Sequence, residues 1–138
     1  MKKIISYQLA CRLLQFIFGL FIIFHLSVIA GIILFDFVPI DYLWGGRLKT
    51  REALLDFEFI SLGVMVLCYL IVLIKTEKVL PNLVGIANIF LWILTVLFLF
   101  NTVGNILAET TFEKFFGLVT ATLAILCLRL ALEKNESK

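Results

Sequence analysis

Polar positions are so sparse along this chain that its hydrophobic pattern reads as four blocks. Apolar runs extend from Leu13 to Phe35, Leu54 to Ile74, Leu83 to Leu107 and Phe115 to Leu132, with charged residues gathered in the short connections between them. An α-helix rises 1.5 Å per residue, so about 20 apolar residues cover the roughly 30 Å hydrocarbon layer of a bilayer. Membrane strands would alternate apolar and polar residues, whereas Ile89 to Phe100 is almost continuously apolar. Hydrocarbon also demands an internal partner for every backbone amide, and a helix supplies those partners from its own turns. The pattern therefore predicts an all-α membrane protein. Its four transmembrane helices would form one antiparallel bundle over residues 1–138, with an outer loop at 36–53.

Composition strengthens that assignment. Apolar residues make up 62% of the 138 and charged residues 16%, against roughly 45–50% and 25% in soluble domains. A water-facing surface cannot be built from so few polar groups. Lys2 and Lys3 followed by an apolar stretch, with Val28 and Ala30 as small residues, loosely imitate a secretory signal. The run continues through Leu34, longer than a typical signal core, so it is read as the first span.

Charge distribution adds an orientation. Lys2, Lys3, Arg12, Lys75, Lys78, Arg129, Lys134 and Lys138 flank one side of the predicted bundle, while Arg47, Lys49, Arg51 and Lys114 flank the other. That imbalance places both termini in the cytoplasm by the positive-inside rule. The chain is then expected in the cell membrane, the inner membrane if the source is a bacterium. Seven of the ten carboxylates fall on the outer side, so the overall +2 conceals an acidic outer and a basic inner face. Anionic lipid headgroups account for the basic face. No nucleic-acid partner is implied.

Inside the spans, each ionisable group costs about 2.5–3.5 kcal/mol on insertion scales and should face the bundle interior with a partner. Asp56 and Glu58 lie near the outer end of the second span, and Asn101 and Asn105 form one i,i+4 polar face at the outer end of the third. The segment from Asp36 to Arg51 contains Pro39 and Gly45–Gly46, which break helix, together with Tyr42 and Trp44, whose amphipathic rings favour the headgroup zone. Arg47 and Arg51 are expected to stand near the carboxylates of the second span. Together Trp44, Arg47, Arg51, Asp56, Glu58, Asn101 and Asn105 are the candidate ligand-binding residues of an outward-facing polar pocket. The plainer reading has the arginines merely neutralising Asp56 and Glu58 while the rings anchor the loop.

His25 falls near the middle of the first span. With Glu58 it is a possible proton-active pair, because imidazole titrates near neutral pH; the plain alternative is one interhelical hydrogen bond, worth about 0.6 kcal/mol on average in membrane bundles. Gln15, Asn88, Thr95 and Thr122 are the polar stepping stones available beyond it. Arg129 and Glu133 read as an i,i+4 anchoring pair, and Asn88 as a partner for the indole of Trp92, one turn away.

Catalytic and metal signatures are absent from the motif pattern. The three cysteines, Cys11, Cys68 and Cys127, fall on the inner side or within spans and match no metal spacing, and a single histidine makes a zinc or haem site improbable. No cofactor is implied. Binding or transport of a lipid headgroup or another amphipathic small molecule is the leading expectation, with membrane lipids as partners and assembly into a homo-oligomer or larger membrane complex left open. A non-catalytic accessory subunit is the alternative. An integral-membrane enzyme using Glu58 or His25 as acid or base ranks third, because no matched nucleophile accompanies them in the sequence.

Overall fold

The structure, a computed structural model, describes residues 5–40, 43, 48–107 and 111–133, with the backbone alone for 111–113. Four helices follow one another: α1 (Tyr7–Phe35), α2 (Arg51–Lys75), α3 (Val84–Ile106) and α4 (Thr111–Ala131). A 3₁₀ turn at Pro81–Leu83 leads into α3. Among the described residues there is no strand, and all four helices are long and apolar enough to cross a membrane.

Local chemistry explains why α1 and α2 outrun their apolar blocks. α1 begins at Tyr7 because Ser6 Oγ accepts the Leu9 N–H at 3.2 Å, and α2 begins at Arg51 because Thr50 Oγ1 accepts the Ala53 N–H at 3.1 Å. Each hydroxyl satisfies one of the amides that a helix start leaves unpaired. α1 stops where Asp36 takes a left-handed φ of 51°. α2 ends in a Schellman turn: Glu77 adopts φ 58°, its N–H donates to Ile74 O at 2.9 Å, and the Lys78 N–H donates to Leu73 O at 3.1 Å. That turn keeps Lys75 inside the last turn of α2.

The buried positions recur at three- and four-residue steps, as helix packing requires. On α1 they are Ala10, Cys11, Leu14, Phe18, His25, Ile29 and Ile32; on α2 they are Leu54, Glu58, Cys68, Ile71, Val72 and Lys75. α4 buries about twice the share of its span that each other helix does. The opposite faces carry exposed apolar side chains such as Phe16, Ile23, Ile60, Phe100 and Leu118. In water such surfaces would aggregate; against acyl chains they are correctly solvated.

The chain divides into two units, one comprising residues 17–69 and the other residues 1–16 with 70–138. Within residues 17–69, His25 meets Glu58 and Ile32 meets Arg51, so a seven-residue step forward on α1 is matched by a seven-residue step back on α2. In the other unit α3 packs along α4. A Cβ on Gly117 would lie 3.4 Å from Ile106 Cγ1, and the Thr102 and Thr120 hydroxyls are 3.0 Å apart. Glycine at 117 lets the two backbones approach closely.

Candidate functional site

The first candidate centre lies within residues 17–69. His25 and Glu58 sit on the buried stripes of α1 and α2, and His25 Nδ1 is 2.6 Å from Glu58 Oε2. Glu58 is 1% exposed and His25 is 9% exposed. With the carboxylate ionised, the Nδ1–H donates to it; a second proton would convert the contact into an ion pair of imidazolium and carboxylate. Phe24 stands edge-on to the imidazole, with ring centroids 5.4 Å apart. The contact joins α1 to α2 through one buried imidazole and one buried carboxylate.

The other expected site residues are placed differently from one another. Arg51 turns toward α1: its Nη2 donates to Ile32 O at 3.3 Å, and its Nε lies 3.4 Å from Asp36 Oδ1, an ion-pair distance without hydrogen-bond geometry. Its observed partners are thus at the end of α1, because Asp36 in its left-handed turn is brought beside the start of α2. Asp56 is exposed. Asn101 is exposed and Asn105 half-buried, both on α3 in the other unit. Trp44 and Arg47 lie outside the described residues.

Two of the stepping stones are engaged within their own helices. Thr95 and Thr122 donate to Leu91 O and Leu118 O one turn back on their own helices, and the buried Gln15 Nε2 has no hydrogen-bond partner. Asn88 serves Lys75, while Trp92 is 44% exposed.

A second polar centre, which hydropathy alone did not reveal, occupies the unit formed by residues 1–16 and 70–138. Lys75 is 2% exposed and Arg129 3% exposed. Lys75 Nζ donates to Asn88 Oδ1 at 2.8 Å and to the Glu133 carbonyl at 2.9 Å. Arg129 Nε donates to the Ile5 carbonyl and its Nη1 to Glu133 Oε2, each at 2.9 Å. Tyr7 completes the group: its hydroxyl donates to the Lys75 carbonyl at 3.0 Å, and its ring lies under the guanidinium, 5.9 Å from Arg129 Cζ. The signal for Lys75 was present in the spacing 54, 58, 61, 65, 68, 72, 75, a stripe of buried and half-buried positions that runs to the last residue of α2. The Arg129–Glu133 pair is present as expected, but as one side of a buried network.

Among the described residues, no three His, Cys, Asp or Glu side chains gather as a metal site, and Cys11, Cys68 and Cys127 are buried and form no disulfide with one another. No family model, curated protein or solved structure matches this chain. The chemistry of its own buried polar groups carries the functional reading.

Proposed function

We propose that this chain is a four-span protein of the cell membrane that binds or transports a lipid headgroup or another amphipathic small molecule, with His25 and Glu58 as its polar heart. The observation that carries the reading is the 2.6 Å imidazole–carboxylate contact. A carboxylate within a membrane span is expensive to keep, and in such proteins it marks a ligand or proton pathway by default. An apolar pair at these positions would pack without that penalty. Within residues 17–69 the candidate ligand contacts are Arg51, Asp56 and Glu58.

The helix order that suits this function is an antiparallel up-and-down bundle with both termini in the cytoplasm. The opposed seven-residue steps on α1 and α2, the contacts of Gly117 with Asn105 and Ile106, and the bias of Lys and Arg support it.

The test uses the full chain extracted with its native lipid into polymer-bounded discs. Mass spectrometry of the wild type is expected to show a retained lipid or small amphiphile that Glu58→Gln loses while remaining folded. Equal retention by both proteins overturns the reading. A different polypeptide held in stoichiometric amount would instead identify an accessory subunit. Acid–base catalysis could use the same pair, but among the described residues no nucleophile is hydrogen-bonded to His25.

A further inference from the structure

The second polar centre links all four helices in a closed circuit. From Ile5, just before α1, the path runs to Arg129 on α4, to Glu133 just beyond α4, to Lys75 at the end of α2, and back to Tyr7 on α1, whose ring faces Arg129; Asn88 of α3 joins at Lys75. All of these residues belong to the same unit.

A purely structural junction would not need this chemistry. Aliphatic side chains fill such positions without desolvating two cations, and replacing buried ionic groups by apolar ones often leaves stability unchanged or raises it. Polar links differ from apolar ones in being exchangeable. At helix ends, where water reaches the membrane surface, each broken link can be replaced by hydration, so opening has a small net free-energy cost. Lys75 is the hub, since its side chain serves α3 and the segment after α4 while its carbonyl receives α1.

We propose that this circuit is a gate in its closed state, latched by Lys75, which parts the helices of this unit when its links are exchanged for water. The proposal rests on the binding or transport reading but is tested without a ligand. Cys11 supplies the reporter: it is buried on α1 one turn after Tyr7, within electrostatic reach of Lys75 and Arg129. With Cys68→Ser and Cys127→Ser in the background, Cys11 is the one thiol left. The protein is placed in lipid nanodiscs and labelled with a membrane-impermeant maleimide.

Lys75→Met is expected to raise the Cys11 labelling rate about tenfold with helical content and thermal midpoint unchanged, and Asn88→Asp, which gives the ammonium a carboxylate, to lower it below the parent rate. A Lys75→Met protein that stays folded and labels at the parent rate overturns the gate. Should that variant fail to fold, Asn88→Leu removes one link to the Lys75 ammonium and should accelerate labelling; no acceleration overturns the proposal. Glu58→Gln should leave Cys11 labelling unchanged. If ligand retention ignores Glu58→Gln while Lys75→Met still exposes Cys11, the gate stands and the ligand reading falls.

Discussion

The His25–Glu58 pair and the Lys75–Arg129 circuit solve the same problem in opposite ways. Both keep ionisable groups almost completely buried within membrane-spanning helices. At the pair, the compensation includes one short contact between two side chains. In the circuit it is distributed, and two of the acceptors are backbone carbonyls, those of Ile5 and Glu133. Both carbonyls lie beyond helix ends, where water can take the place of a broken link, so the circuit can exchange its partners. The pair has no such exchange within reach, since both of its members lie inside their helices. That difference favours a functional reading for the pair and a conformational one for the circuit.

The largest effect should come from separating the partners of the pair. His25→Leu deprives the buried carboxylate of its imidazole and is expected to destabilise the fold by about 2 kcal/mol, because a buried polar group loses a partner rather than merely losing a favourable bond. The double substitution His25→Leu with Glu58→Leu should recover most of that loss. Thermal unfolding of the two single variants and the double in nanodiscs gives the coupling directly. Additive effects would show that the contact is not coupled, and the contrast with the circuit would collapse.

Next in size is the α3–α4 seam, compared with the helix face around Gly63. A Cβ at Gly117 would already touch Ile106 and Asn105 at 3.4–3.5 Å, so the longer side chain of Leu crowds this seam; Gly117→Leu should cost about 1–2 kcal/mol. At Gly63 nothing lies within 4 Å of the added carbon, and Gly63→Ala should stabilise by up to about 1 kcal/mol through helix propensity. The same unfolding measurement checks both, and equal penalties would mean that the two faces are packed alike.

Helix number and class were legible because apolar length is a one-dimensional property: about 20 residues of oil-soluble sequence have few alternatives. A contact between His25 and Glu58 was legible too, since each is conspicuous in an apolar span. The circuit was hidden by the way span edges are drawn. Hydropathy ends α2 at its last apolar residue, Ile74, whereas the helix is ended by the left-handed Glu77 and the Schellman turn around it. Lys75 therefore looks like a loop charge in sequence and is a buried helix residue in the fold. Arg51 escaped for a related reason. Its position on the face of α2 pointed to Glu58, but its observed partners depend on where Asp36 ends α1, and that is set by one backbone angle.

The smallest effect tests whether the circuit depends on its backbone acceptors. Glu133 takes part twice, accepting from Arg129 through its carboxylate and from Lys75 through its carbonyl. Glu133→Gln removes the negative charge while leaving an amide oxygen for Arg129 and the carbonyl for Lys75. The Glu133 side chain is 30% exposed, so solvent already screens its pairing, and the expected loss is below about 1 kcal/mol. Cys11 labelling should then stay within about twofold of the parent rate, because the link from Lys75 to the segment after α4 is made to a group that no substitution at 133 removes. A large increase would place the strength of the circuit in the Arg129–Glu133 charge pair, making it a side-chain contact of the same kind as His25 with Glu58.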